Sequence, residues 1–424
     1  MHEVVVVGGA GDMARVAVTK LRLLRDDCRI TLADLDVPGA EHLARELGGE
    51  EVSAASVDIF DAPGLKEVVS GARLVMNCTG PYYRTGRPVL EACIAGGVDY
   101  VDMCDDEDSA LSLLELDEKA RGQAVTALIC CGIAPGLVNV LARRNADMLD
   151  ELLDIELAWV SGQTPPSEDR PAGSVGVIEH MLHCCVGECA TVRDGARTMI
   201  PAFKSGRTVD FPEPLGPYMV FELGHAEPAT LPRFMPGLRD LRTMGAIHPP
   251  YLNGLFRGVA AQVTHGTVNM KKAVDFIVAL DTGGKVPAWR PFLGVLEGTA
   301  GQLVRGEITI GDLGGLARAA RGKLQAESLG GLYVSVTGVK DGKPARITTA
   351  QSSAQGEGEG SMDIDVVTGT CLAAFASLML SGEVTARGVV APEACVDPPR
   401  YLEELDRALP EFQMDLEPRL AWLE

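Results

Sequence analysis

The run from Val4 to Ala14, VVVVGGAGDMA, constrains the fold more than any other stretch of the chain. Four consecutive valines are too few for a globular helix and too β-branched to favour one. They predict a strand buried on both faces, as in a parallel sheet. Gly9, Gly11 and Ala14 then spell G-x-G-x-x-A. Gly9 permits a tight turn, Gly11 lets the backbone approach a pyrophosphate, and Ala14 lets the next helix, Met13 to Leu24, lie close to the strand. That helix aims its first amides at phosphate. Glycine-rich turns also occur where packing is merely tight, so the context matters. A second β-rich run, Arg29 to Ala33, ends in Asp34. It lies about twenty residues past the glycines, where a dinucleotide fold places the carboxylate that holds the adenosine ribose hydroxyls.

The following segments continue the pattern. Helical character over Pro38 to Leu47 and a strand over Glu51 to Asp58 complete a βαβαβ half of a doubly wound sheet. A helix from Gly64 to Ser70 follows, with Asp61 and Pro63 as entry signals. The cofactor contacts expected from this half are Gly9, Ala10, Gly11, Asp12 and Met13 in the first turn, Asp34, and Asp58 with Ile59 beside adenine. A fourth strand, Arg73 to Cys78, runs into Cys78-Thr79-Gly80-Pro81-Tyr82-Tyr83. Cys78, Thr79 and Gly80 are placed against the nicotinamide half, because ligands sit beyond the carboxyl ends of parallel strands. A helix over Arg87 to Ala95 leads to a fifth strand, Val98 to Asp102. The acidic run Asp105 to Asp108 reads as a solvated loop capping a helix from Ser109 to Arg121. After an apolar strand, Ala124 to Cys130, the corner Gly132-Ile133-Ala134-Pro135-Gly136 and the helix Leu137 to Ala146 mark a domain crossover.

From Leu153 the texture changes to strands at Asp154 to Val160, Thr191 to Ile200, Arg207 to Phe211 and Met219 to Leu223, predicting a second, more antiparallel sheet. The turn-rich stretch after Phe221 gathers Glu222, His225, Glu227 and Arg233 near one strand end. Tyr251 to Gln325 is helical by period, broken at Gly283-Gly284 and Pro287. A hairpin through Asp341-Gly342 joins Leu332 to Gly338 with Ala345 to Gln351, and Gln355 to Gly360 reads as a loop. Thr368 opens a long apolar helix to Leu380 whose amino end is a candidate anion site, and Glu383 to Val390 with a charged C-terminal segment closes the chain. The fold class is therefore α/β, a Rossmann doubly wound parallel sheet with an inserted mixed α/β domain. Residues 1–135 form the dinucleotide-binding domain, 136–360 the substrate and oligomerisation domain, and 361–424 return to the first.

A chain of 424 residues with 46% hydrophobic content suits two or three folded domains. The net charge of −21 repels phosphate backbones and anionic lipid, arguing against nucleic acid and membrane partners. With no long apolar span or basic leader, and eleven cysteines in odd number, a reducing cytoplasm is expected. His180, His183, Cys184, Cys185 and Cys189 lack a second ligand arm at zinc spacing and are read as a helix with small buried thiols. No metal is expected.

These residues resemble the saccharopine dehydrogenase-like oxidoreductases, in the branch of saccharopine reductase and lysine 6-dehydrogenase. The resemblance rests on VVVVGGAGDMA, NCTGPYYRTGRPVLEACIAGGVDYVDMCDD, CGIAPGLVNVLARR, ELGHAEPATLPRF, VTGTCLAAFASLML and GVVAPEACVDPPRYLEEL, in family order. It implies a Rossmann domain completed by C-terminal elements, and a nicotinamide-dependent interconversion of amine and imine on an amino acid or related amine. The Ala14 ending of the fingerprint and the unmatched stretch Tyr251 to Gln325 depart from the family pattern, the latter leaving room for a different substrate pocket. Two other functions compete: a biosynthetic reductase of a cyclic imine or carbonyl, and an NAD-binding sensor without turnover.

NAD is expected rather than NADP, because Asp34 repels a 2′-phosphate and Leu35-Asp36 supply no guanidinium. The catalytic candidates are Asp102 or His225 as proton acceptor, Tyr82 as hydrogen-bond partner, Glu222 from the inserted domain, and Arg233 as a clamp for a substrate carboxylate. The expected assembly is a homodimer.

Overall fold

The computed structural model describes residues 1–49, 51–162, 175–281, 290–310, 328–355, 364–410 and 414–423. The first half alternates strand and helix: β1 (His2–Val7), α1 (Asp12–Leu24), β2 (Cys28–Asp34), α2 (Val37–Leu47), β3 (Val52–Ser56), α3 (Ala62–Val69), β4 (Leu74–Asn77), α4 (Tyr82–Gly96), β5 (Asp99–Asp102), α5 (Glu107–Leu114), α6 (Asp117–Gly122) and β6 (Thr126–Leu128). The chain crosses through α7 (Leu137–Asp147) into β7 (Glu151–Gly162), α8 (Val175–Cys185), β8 (Glu188–Arg193), β9 (Ala196–Pro201), β10 (Gly206–Asp210), β11 (Pro217–Glu222), α9 (Glu227–Phe234) and β12 (Asp240–His248). Among the described residues α10 (Tyr251–Thr264), α11 (Met270–Asp281) and α12 (Arg290–Val304) precede the hairpin β13 (Ser328–Lys340) and β14 (Lys343–Gln355). The helix Ile364–Leu380, β15 (Gly388–Val390), the helix Pro398–Ala408 and β16 (Arg419–Trp422) close the chain.

Sheet one is parallel throughout, in the order β15-β6-β5-β4-β1-β2-β3. The valine strand lies near its middle, between β4 and β2, with Val4 to Val7 buried. The helix Ile364–Leu380 returns against α1 with backbones almost touching: a Cβ on Gly369 would lie 2.8 Å from Val16 and 2.9 Å from the Met13 carbonyl. Bulk at that position would push the two helices apart. Sheet two is mixed, in the order β10-β11-β12-β7-β13-β14-β16, with β12 parallel to β7 and the other neighbours antiparallel. The α/β class, with a Rossmann sheet and a second mixed domain, is the one expected.

Several local expectations are corrected. Helix α4 begins at Tyr82 rather than Arg87, because Thr85 Oγ1 donates to the Thr79 and Pro81 carbonyls and Tyr82, Thr85 and Gly86 are buried. Pro88, which suggests a helix start, lies inside it. The helix read over Ser109 to Arg121 is two, since Leu116 turns into the core between α5 and α6. The strand read over Thr191 to Ile200 is the hairpin β8–β9, reversed at Asp194-Gly195, both with positive φ. β12 was not expected, yet it is the strand that joins β11 to β7. The stretch from Glu227 to Phe234 is helical because Pro228 sits in the first turn, where a missing N–H costs nothing. Thr368 lies a turn inside its helix and is no amino end. Within Glu383 to Val390 the strand is Gly388–Val390, and β16 joins sheet two rather than the Rossmann sheet. The breaks at Gly283-Gly284 and Pro287, and the loop over Gly356 to Gly360, lie outside the described residues.

Candidate functional site

A cavity of about 490 Å³ opens between the carboxyl edge of the parallel sheet and the face formed by β7, β13, β14 and α8. At its dinucleotide end it is lined by Ala10, Gly11, Asp12, Met13 and Ala14, with Cys78 and Gly80 after β4. Helix α1 begins at Gly11 with no side-chain cap, leaving its first-turn amides for an anion. A Cβ at Gly11 would meet only the Gly8 carbonyl, at 3.4 Å, so the space above the turn is open. This cradle fits a pyrophosphate. Asp34 ends β2, its Oδ2 accepting from the Ala10 amide at 3.0 Å and its Oδ1 from Asp36 N at 2.9 Å. Gly9 lies behind the turn, its amide donating to the Ala33 carbonyl at 3.2 Å.

Other expected contacts fall differently. Asp58 is exposed and accepts from Phe60 N at 2.9 Å, while Ile59 points into the core beneath it and does not line the cavity. Phe60, missed by the sequence reading, is 67% exposed beside them. Thr79 turns toward Asn77, its hydroxyl donating to Asn77 Oδ1 at 2.6 Å, and is not part of the cavity wall.

At the far end the wall is made by Tyr82, Met103, Asp105, Trp159, His180 and His225. His225 Nδ1 lies 2.8 Å from Glu227 Oε2. A carboxylate only accepts, so Nδ1 donates to it and Nε2 is the ring nitrogen left free of Glu227. His180 stands between two carboxylates, with Nδ1 2.9 Å from Asp106 Oδ1 and Nε2 3.2 Å from Asp105 Oδ2. Burial disfavours its imidazolium, but Asp105 and the Asp106 hydrogen bond outweigh it and raise His180 well above the ordinary histidine value. Burial pushes Asp105 up against the opposing charge of His180. For Asp106 burial acts upward too, but its bond to His180 prevails and holds it below the ordinary carboxylate value. These three side chains bring ligand atoms within 4.8 Å of one another. The imidazolium already serves as the cation between the two acids. The rings of His180 and His225 are 5.9 Å apart, and Trp159 is 5.6 Å from His225.

Of the sequence-predicted catalytic set, only Tyr82 and His225 line this wall. The Tyr82 hydroxyl donates to the Asn77 carbonyl at 2.9 Å. Asp102 is sealed from the cavity: Oδ1 accepts from the amides of Cys104 at 3.0 Å and Cys130 at 2.8 Å, and Oδ2 from the Tyr100 hydroxyl at 2.7 Å. Burial raises it to about 6 against those bonds. Glu222 pairs with Arg193 at 2.8 Å, away from the cavity. Arg233 is exposed and holds Asp117 at 3.2 Å, tying α9 to α6, so it clamps no ligand in this cavity. Missed were Asp105 and Asp106, read as a capping loop, and His180, read as one of a thiol cluster. Their pairing spans 74 residues of sequence and is made by packing α8 on the β5–α5 loop.

Residues 4–128 match the family profile described as the saccharopine dehydrogenase NADP binding domain. Carboxyaminopropylagmatine dehydrogenase from Synechocystis sp. is 25% identical over 266 residues, 59% of this chain and 64% of that protein. Saccharopine dehydrogenase-like oxidoreductase from Mus musculus is 36% identical over 110 residues, a quarter of each chain. Apo saccharopine dehydrogenase (L-Glu forming) from Saccharomyces cerevisiae superposes over 99% of this chain and 100% of its own, with a TM-score of 0.63 at 15% identity. Residues 4–128 are thus a domain of the saccharopine dehydrogenase NADP-binding type, and the chain is similar to the saccharopine dehydrogenase-like oxidoreductases. The matched domain is a pyridine-nucleotide-binding one, and the Gly9 to Ala14 turn lies inside the matched span. The alignments span less than two thirds of the curated relatives, and the structural likeness speaks for the fold. Among the described residues no helix is long and apolar enough to cross a membrane.

Proposed function

We propose that the protein is an NAD-dependent oxidoreductase acting on the CH–NH group of an amino acid or related amine. The observation that carries the reading is the continuity of one cavity from the Gly11 turn to the His225–Glu227 pair. Bound NAD supplies the hydride acceptor when amine is oxidised and, as NADH, the donor when imine is reduced. In the oxidative direction the C–H bond is lost as hydride and the nitrogen gives up a proton. His225 Nε2 takes that proton, because Nδ1 is occupied by Glu227. Asp105, open to the cavity, faces the cationic nitrogen, with His180 balancing its charge. Met103, Trp159 and Met181 exclude water from the reacting carbon. The Asp34 carboxylate, fixed by two backbone amides, supports NAD over NADP by its charge.

The test follows nicotinamide absorbance with NAD and NADP against a panel of amino acids, carboxyalkyl amino acids, polyamines, cyclic imines and carbonyls. Turnover confined to amines or imines supports the reading. Turnover of carbonyls alone overturns it in favour of a carbonyl reductase. Binding of NAD with no turnover on any class favours a sensor. We further propose a cytoplasmic homodimer, which light scattering of the purified protein tests.

A further inference from the structure

Behind His225, outside the cavity wall, two carboxyl groups are buried in one polar cluster. Glu227 and Glu393 are at most 1% exposed. Glu227 uses Oε2 for His225, and its Oε1 is buried without a hydrogen-bond partner. Glu393 uses Oε2 to accept from Asn139 Nδ2 at 3.0 Å, and its Oε1 is likewise buried without one. Asn139 Nδ2 also reaches Thr230 Oγ1 at 3.3 Å, and Thr230 lies one helical turn after Glu227 on α9. The cluster thus joins α7, α9 and the turn Pro392–Cys395.

Two ionised carboxylates in such a site would repel each other at low dielectric, and an orphaned oxygen on each leaves that charge unsolvated. The groups around them do not cancel it. On the cavity side stands His180, whose ring is already shared between Asp105 and Asp106. From α7 the Arg143 guanidinium meets the Glu393 carbonyl at 3.3 Å and is paired with Asp147. The thiols of Cys131 and Cys395 are themselves pushed up, chiefly by burial.

We propose that Glu227 and Glu393 share a single proton, carried by Glu393, so that Glu393 is a positioning residue that keeps the Glu227 charge directed at His225. This rests on the assignment of His225 as the proton acceptor. Burial, reinforced by Glu227, raises Glu393 to about 7. Loss of the shared proton at higher pH adds a second negative charge behind His225 and makes its imidazole more basic. The pair therefore couples a buried acid to the proton-accepting nitrogen without touching substrate.

The experiment uses the full-length protein without cofactor. Carboxyl carbon spectra of protein labelled at glutamate side chains are recorded between pH 5 and 9, alongside the ring-proton titration of His225. One glutamate should remain protonated at pH 6 and titrate near pH 7, and its signal should be absent in Glu393→Gln. In Glu227→Gln the His225 midpoint should fall by about one pH unit or more, as expected for loss of an adjacent charge. In Glu393→Gln the His225 curve should lose the step that follows the shared proton, and the pH profile of turnover should lose it too. A wild-type spectrum with every glutamate ionised at pH 6 overturns the proposal and needs no variant to fold. So does a His225 titration unmoved by Glu227→Gln. If both spectroscopic results hold but the substrate panel gives no turnover, the shared proton stands and the enzymatic reading fails.

Discussion

The amide of Ala10 donates to Asp34 Oδ2 at 3.0 Å, so the glycine turn and the carboxylate that ends β2 are joined within the fold itself. In the NAD site proposed above, this holds the Asp34 carboxyl where NADP would carry its 2′-phosphate. Asp34→Ser combined with Leu35→Arg should shift the NAD to NADP preference toward NADP by at least about tenfold, because repulsion is removed and a guanidinium is supplied. Titration of both nucleotides by fluorescence checks this. Tighter binding of NADP by the unmodified protein would show that Asp34 does not select.

Gly11→Val should abolish nucleotide binding while leaving the protein folded. A Cβ there meets only the Gly8 carbonyl at 3.4 Å, whereas one at Gly9 would come within 2.8 Å of Leu32 and disturb the sheet. Calorimetric titration with NAD, run beside a circular dichroism melt, separates the two effects. Normal affinity in the folded variant would remove the turn from the cofactor site.

His225→Ala should lower turnover by about 10²-fold or more, the scale of losing a general base, with NAD affinity near normal. Asp102→Asn should instead act on stability. The Asn amide presents a donor to the Tyr100 hydroxyl, which already accepts from Asn77 Nδ2, and the expected cost is about 1–3 kcal/mol. Steady-state kinetics and denaturant melts of the two variants check the division of roles. A folded Asp102→Asn enzyme that loses turnover as heavily as His225→Ala would contradict it.

His180 gives a pH dependence with a definite sign. Its value is raised in the folded state, so its stabilisation is complete below the ordinary histidine value and is lost as pH rises through the raised one. Asp106 is lowered, so its share is present above the ordinary carboxylate value and is lost as pH falls through the lowered one. His180→Gln should therefore cost on the order of 3 kcal/mol near neutral pH, where a buried charge loses its partner, and much less in strong alkali. Denaturant melts of both proteins from pH 6 to 10 measure the difference. A gap that stays constant across that range would show that the ring packs without its charge.

What the sequence determined by itself was the local part. Val4 to Val7, the Gly9 to Ala14 turn, Asp34 and the alternation through β6 were legible because each depends on neighbours within about twenty residues, the reach of a βαβ unit. The Asp341-Gly342 hairpin was legible for the same reason. The tertiary structure alone decided the chemistry at the far end of the cavity. Asp102, at the end of β5 where a ligand was expected, is enclosed by two amides and a tyrosine. Asp105, three residues later, reaches the open space instead. His180 meets its acids only because α8 packs across the β5–α5 loop, and Glu393 stands behind His225 only because the C-terminal segment returns to α7. Such contacts are chosen by the packing of whole layers, which no local pattern of residues encodes.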